Sequence, residues 1–299
     1  MSKHFFIGVD GGATSCRARI RDMDGNVLGE GESGPANIHS NLPLATRSIR
    51  EATAAALRSA GLAKPSLQGA HAGLGLAGAG LKSACNRLLS EPIPFGSIVV
   101  ETDAYVAWLG AHQGGDGGIA ILGTGSCGLA VVNGRRTTVA GWGPEVSDEA
   151  GGVRLGREAL RRTLWAYDGR AKESELTAAI FGRFDWDPAN IVSFASTASA
   201  ADYAKLAPLI FQYASAHDPL GVTLVKETAA AAAMIIERLL AVGAPAVSLI
   251  GGLAEPLMSW LPPELGDFVT APKSDPVDGA ILMARRAFFK LDAVTLRAG

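Results

Sequence analysis

Two short blocks of this chain repeat one another. Asp10-Gly11-Gly12-Ala13-Thr14-Ser15-Cys16 follows the apolar run Phe5–Val9, and Gly123-Thr124-Gly125-Ser126-Cys127-Gly128 follows the apolar run Ile119–Leu122. Alternating residues after each block read as a second strand. A strand, a Gly/Thr turn and a strand make a hairpin whose tip presents backbone N–H groups and hydroxyls, a setting that can hold phosphate oxygens. Two such hairpins, one in each half, restrict the chain to duplicated folds and point to two jaws on a polyphosphate.

The flanking sequence repeats as well. Phe5–Val9, Ser15–Arg21 and Val27–Glu32 read as antiparallel strands, with Asp24-Gly25-Asn26 as a hairpin turn. Leu42–Ala60 carries apolar residues at helical spacing, Gln68–Leu76 reads as a strand, Leu81–Leu89 as a helix, Ser97–Glu101 as a strand and Asp103–His112 as a helix. The pattern restarts with strands at Ile119–Leu122, Ser126–Val132 and Arg136–Gly141, turned at Asn133-Gly134. Helical segments follow at Glu158–Tyr167, Glu173–Phe184, Pro188–Ser196, Asp202–Ala216 and Val222–Ala241. Strands are then expected at Ala246–Ile250 and Asp267–Thr270, and a closing helix at Asp278–Phe289. The expectation is an α/β protein with two βββαβαβα-type domains around a central cleft. The domains are residues 1–113 and 114–284, the second with a helical insert, and a closing helix near 285–299 packs back on the first. The glycine run 114–118 marks a hinge.

Composition narrows the function classes. Lys and Arg number 27 against 29 Asp and Glu, with no long basic run, so a nucleic-acid or membrane-surface partner has no electrostatic support. Cys16, Cys85 and Cys127 lie far apart without a C-x-x-C pair, which argues against structural zinc and against a disulfide scaffold. The start of the chain shows no signal-peptide pattern, and the apolar stretch Ala229–Ile236 between Glu227 and Glu237 is too short to cross a bilayer, so a cytoplasmic location is expected.

No G-x-x-x-x-G-K-[ST] motif is present. Gly73-Leu74-Gly75-Leu76-Ala77-Gly78 matches G-x-G-x-x-G with Glu101 downstream. It keeps an NAD-dependent oxidoreductase as an alternative, although such a fingerprint normally opens its domain and here follows four strands. Asp10, at the end of an apolar strand before a Gly pair, can hold Mg²⁺ directly or through water beside phosphates; a turn acid is its ordinary role. Asp103 follows the strand ending at Thr102 and is either an N-cap or first-turn residue, or the carboxylate that takes a proton from an acceptor hydroxyl. Asn37, in the loop after the third strand, suits sugar hydroxyls or a turn. Gly141-Trp142-Gly143 and Ser147-Asp148-Glu149 form the analogous loop of the second half. Gly251-Gly252 permit close approach of a base or ribose.

In order, the strings DGGATSCRARIR (10–21), TDAYVAWLGAH (102–112), ILGTGSCG (121–128), SDEAGG (147–152) and IGGLAEP (250–256) resemble the actin-like ATPase and sugar-kinase superfamily. Within it the chain resembles the BadF/BadG/BcrA/BcrD ATPase family, and its amino-sugar kinases in particular. The resemblance implies a duplicated ribonuclease-H-like fold and an ATP-dependent hexosamine kinase that phosphorylates the 6-hydroxyl of glucosamine or N-acetylglucosamine, with glucosamine slightly favoured. It implies Mg²⁺ at Asp10 and ATP phosphates at Gly11, Gly12, Ala13, Thr14, Gly123, Thr124 and Gly125. Adenosine would lie beside Gly251, Gly252 and Glu255, and the sugar against Asn37, Asp103, Thr124, Gly125, Gly141, Trp142 and Asp148, with Asp103 as the base. Domain closure would exclude water, and a homodimer is a family-level expectation. The cysteines that carry the iron–sulfur cluster of the radical-enzyme activators, and the zinc loop of the other large bacterial sugar-kinase group, are missing from the sequence. A non-catalytic sugar sensor on the same fold is the remaining alternative.

Overall fold

The computed structural model of the protein describes residues 4–62, 69–92 and 95–295. Gln68 and the end of the expected closing helix, 296–299, lie outside the described residues. The chain forms two compact units, 1–116 with 271–299, and 117–270. The sequence reading gave the second domain everything from 114 to 284; in the structure the segment from Ala271 groups with the first unit.

The first unit is built on β1 (Phe5–Gly11), β2 (Cys16–Asp22), β3 (Val27–Ser33), β4 (Ala70–Leu76) and β5 (Ser97–Thr102), in the sheet order β3-β2-β1-β4-β5. β1 is antiparallel to β2 and parallel to β4, and β4 is parallel to β5. Side-chain alternation gives the sheet two apolar faces. Phe5, Ile7 and Val9 join a core with Ile49, Ala52 and Ala56 of α1 (Leu42–Ser59) and with Ala84 and Leu88 of α2 (Lys82–Leu89). Phe6, on the other face of β1, meets Ile281 and Ala284 of the returning helix at Pro276–Thr295. α3 (Asp103–His112) also packs against that helix, which is twenty residues long and covers β1 and β4.

The G-x-G-x-x-G string has a packing role. Gly73 and Gly75 lie within β4 rather than in a loop after it. A Cβ on Gly73 would stand 2.0 Å from the Ala280 carbonyl oxygen, and one on Gly75 would stand 2.0 Å from Val106. Gly73 lets the backbone of the returning helix lie directly on the sheet, and Gly75 makes room for the Val106 side chain. In a dinucleotide fingerprint the same residues would form the turn around a pyrophosphate.

The second unit repeats the opening motif with β6 (Gly117–Leu122), β7 (Ser126–Val132) and β8 (Arg135–Ala140), extended by β9 (Val247–Ile250) in the order β8-β7-β6-β9. The β7–β8 turn is Asn133-Gly134, both with positive φ (49° and 75°), as a two-residue type I′ hairpin requires. Gly117 and Gly118, read as hinge residues, are already part of β6. The expected strand Asp267–Thr270 is reduced to one parallel bridge, Val247 with Val269, because Pro263–Phe268 coils as a 3-10 helix. The helical insert comprises α4 (Gly152–Tyr167), α5 (Glu175–Gly182), α6 (Pro188–Thr197), α7 (Ala200–Ala204), α8 (Ala207–Ser215) and α9 (Pro219–Ala241). The expected helix Asp202–Ala216 is thus two helices, broken before Pro208. α10 (Ala254–Met258) follows β9, and the helix at Pro276–Thr295 is α11.

α9 is long and apolar enough to cross a membrane, contrary to the sequence reading of its apolar stretch as too short. Its inward face, including Leu224, Val225, Ala232 and Ile236, belongs to the core of this unit. Gly118 of β6 and Gly128 of β7 leave room for its Leu239, and Gly128 also for its Ile235.

Candidate active site

In the first unit the candidate residues gather at the C-terminal edge of the parallel strands, where open α/β sheets bind ligands. Gly11, Leu76 and Thr102 stand level across β1, β4 and β5. Beyond them lie the tip Gly12–Ser15, closed by a 2.9 Å bond from Gly12 N–H to Ser15 O, the turn at Gly78, and the start of α3. The loop at 34–38 is tied to the same edge by Ala36 N–H to Gly12 O (2.9 Å) and Ile38 N–H to Ala77 O (3.0 Å). Asn37 is therefore brought beside the Gly turn. Its Oδ1 accepts from His39 N–H and Ser40 N–H, at 3.0 and 3.1 Å, the turn role weighed from sequence, and its amide NH₂ is the donor left for a ligand.

Thr102, rather than Asp103, caps α3, accepting from Tyr105 N–H at 3.1 Å. Asp103 is the first helical residue, so its carboxyl is not needed as the cap. Asp103 Oδ1 accepts from Ala104 N–H at 2.9 Å. Burial pushes its carboxyl up to about 6, and the nearby charge of Asp10 adds to the rise. Asp10 is half-buried at the end of β1, and burial raises its carboxyl too, against the lowering effect of Arg17. Arg17 NH₂ donates to Asp10 Oδ2 at 2.7 Å. Sequence reading did not single out Arg17; the alternation Arg17, Arg19, Arg21 on β2 was the available signal. No cluster of three or more metal-ligating side chains occurs among the described residues. A lone hard-oxygen donor such as Asp10 still fits Mg²⁺, which takes one or two carboxylates and completes its shell with water and phosphate.

In the second unit the carbonyls of the Gly123–Gly125 turn accept from the start of α4: Gly152 N–H to Gly123 O at 2.8 Å and Val153 N–H to Thr124 O at 3.0 Å. Gly251 turns at φ 107° against the Leu122 carbonyl, so the β9 end meets the same turn. Gly252 is exposed, and Glu255 stands exposed in the first turn of α10 with no described bond to the turn.

Asp148 is the most unusual residue of this unit. It is 7% exposed, its backbone is left-handed (φ 63°), and its Oδ1 is buried with no hydrogen-bond partner among the described residues. Burial raises its carboxyl, opposed by the Gly143 and Ser126 backbone N–H groups. A Cβ on residue 125 would stand 2.4 Å from Asp148 Oδ2, so only glycine lets the turn and the carboxyl share this space. Left-handed strain and an unsatisfied buried carboxylate each cost on the order of 1–3 kcal/mol, and such costs concentrate at ligand sites. Ala140, Gly141 and Gly143 also have positive φ, and between them Trp142 is 77% exposed. Such a ring offers an apolar face to a ligand. A cavity of about 330 Å³ in this unit, lined by Arg154, Glu158 and Met234 among others, includes Glu149 of the Asp148 loop but none of the residues expected to bind ATP, sugar or metal.

Comparison with known proteins gives the family. Over 281 residues the chain is 38% identical to the glucosamine kinase GspK of Vibrio cholerae, a match covering 94% of this chain and 96% of that protein. A solved structure from Chromobacterium violaceum, described as an N-acetylglucosamine kinase, superposes with a TM-score of 0.90 at 33% identity, covering 95% of this chain and all of that one. A ROK family glucokinase from Streptomyces griseus, solved with glucose and AMPPNP, matches with a TM-score of 0.58 at 20% identity over 94% of this chain and 99% of that one. That likeness speaks for the fold alone, a duplicated ribonuclease-H-like architecture. The model of the BadF/BadG/BcrA/BcrD ATPase family matches residues 7–284, and the chain belongs to that family.

Proposed function

We propose that the protein is an ATP-dependent hexosamine kinase that phosphorylates the 6-hydroxyl of glucosamine or N-acetylglucosamine. The observation that carries this reading is Asp103: a carboxyl freed from capping, raised to about 6, at the ligand-binding edge of the sheet. A general base is most useful when its proton affinity lies close to the working pH. Asp103 takes the proton of the sugar 6-hydroxyl as that oxygen bonds to the γ-phosphorus, and the bond to the ADP oxygen breaks. Asp10 is the Mg²⁺ ligand, and the cation, when bound, neutralises phosphate charge. The turns Gly11–Thr14 and Gly123–Gly125 supply backbone donors to phosphate, and Gly251, Gly252 and Glu255 flank the adenosine. Asn37, Gly141, Trp142 and Asp148 position the sugar with Thr124 and Gly125.

Asp148 also favours an amino sugar. Its partnerless Oδ1 would accept from a hydroxyl or from the ammonium of glucosamine, and the adjacent Glu149 adds negative charge. The test is ADP release with glucosamine, N-acetylglucosamine and glucose as acceptors. The expected result is a higher kcat/KM for an amino sugar than for glucose; a strong glucose preference overturns the substrate assignment.

Trp142→Ala is expected to raise the sugar KM severalfold, up to about tenfold, while the KM for ATP stays within twofold, because stacked aromatic contacts are worth about 0.5–1.5 kcal/mol. Equal changes in both constants would refute a sugar platform at Trp142.

A further inference from the structure

Gly141, Trp142 and Asp148 lie on the loop that joins β8 to α4. Ala140, Gly141, Gly143 and Asp148 have left-handed backbone there, at φ 57°, 75°, 97° and 63°. Such a conformation at a non-glycine residue persists only where the surroundings hold it. Burial supplies little of that hold, because Trp142 is 77% exposed and Val146 78%. Inside the loop, Val146 N–H and Ser147 N–H donate to the Gly143 carbonyl at 3.3 and 2.8 Å, and Gly143 N–H turns back to the Asp148 carboxyl. From outside, Arg157 of α4 grips the turn. Its Nη1 donates to the Pro144 carbonyl at 3.1 Å and to Glu145 Oε2 at 3.4 Å, and its Nη2 donates to Glu145 Oε1 at 2.9 Å. The same guanidinium lies over the Tyr203 ring of α7, 5.0 Å from its centre. Tyr203 is buried, its hydroxyl donates to the Ala195 carbonyl at 3.2 Å, and its own carbonyl is seated against Gly156. An exposed ion pair alone is worth little. The bond to a backbone carbonyl and the fixed ring beneath set Arg157 apart from such a pair.

We propose that Arg157 is a positioning residue for the sugar site: it clamps the Pro144-Glu145 turn to α4 and α7 and so holds Trp142 and Asp148 in place for the sugar. It acts through the loop rather than on the sugar itself. A loop that is in place only part of the time binds its ligand more weakly by that fraction, and saturating ligand draws it back. Loss of the clamp therefore weakens the sugar KM and spares kcat. The alternative is a surface ion pair that only steadies α4. This inference rests on the kinase reading above.

The test uses the full-length protein, with amide hydrogen exchange in the absence of ligand and ADP release at varied sugar and Mg·ATP. Wild-type protein that forms no ADP with glucosamine or N-acetylglucosamine overturns the kinase reading itself before any variant is compared; the exchange measurement does not depend on that reading. Arg157→Met is expected to speed exchange across residues 143–148 at least about tenfold while α4 keeps its protection within about twofold. Given turnover by the wild type, the same variant is expected to raise the sugar KM at least about fivefold, with kcat and the KM for ATP within about twofold. Arg157→Lys keeps the charge but cannot span the Pro144 carbonyl and the Glu145 carboxylate together, so a smaller rise, still selective for the sugar, is expected; it also carries the test if Arg157→Met does not fold. A sugar KM within twofold of wild type in the folded variants, equal rises in both KM values, or unchanged exchange at 143–148 overturns the proposal.

Discussion

Replacing Asp103 with asparagine is expected to lower kcat by about 10²–10⁴-fold, the usual contribution of a positioned general base. Asparagine keeps an oxygen at the position that accepts from Ala104 N–H, and Thr102 still caps α3, so the helix start survives. The variant should therefore bind sugar and nucleotide with near-wild-type affinity and lose the chemical step. Turnover close to wild type, measured as ADP release, would remove Asp103 as the base. In the wild-type enzyme, kcat/KM should fall as pH drops through about 6, where Asp103 takes up a proton; Asp103→Asn should lack that limb. Stability has the opposite sign. The folded-state value lies above the ordinary 3.8, so protonated Asp103 contributes stability below about pH 3.8 that is lost as pH rises through about 6. At pH 7 Asp103→Asn should be at least as resistant to thermal unfolding as the wild type. A fall in its midpoint would show that the charged form is held by partners stronger than burial.

Gly279→Ala is expected to produce the largest loss of stability among single-methyl substitutions. A Cβ at residue 279 would stand 1.9 Å from the Val106 carbonyl oxygen and 2.6 Å from Gly110 N, both on α3. Neither neighbour is a side chain that can swing away, so α11 must lift from α3. Overpacking of this kind costs about 3 kcal/mol, which lowers the thermal midpoint of a unit this size by roughly 10 °C. Calorimetry that follows each unit separately would check this; an unchanged first transition would mean that the two helices separate at little cost. Because α3 begins at Asp103, the same lift should displace the base and lower kcat.

Most strands and helices were legible because their signals are local. Ser126–Val132 and Asp103–His112 have the bounds read from the sequence, since alternation, turn residues and caps act over a few positions. The strand expected at Asp267–Thr270 did not form, because Pro263 starts a tight coil and leaves Val269 alone to reach Val247. Gly73 and Gly75 looked like a ligand turn because a glycine pattern alone does not reveal what crosses above it. The Arg17–Asp10 pair escaped attention for a related reason: charged alternation on a strand reads as a solvent face until the partner is known.

The sequence by itself determined the duplication, the two Gly/Thr hairpins, the α/β class and the acids worth testing, all of which follow from short-range periodicity and turn chemistry. Only the tertiary structure decided how those residues are used. Arg19 meets Asp275 across 256 positions, α11 returns to cover β1 and β4, and Asp148 is enclosed against Gly125 with one oxygen unpartnered. Each depends on backbones brought together from distant parts of the chain, where burial sets the cost of a charge and the space left for a methyl group.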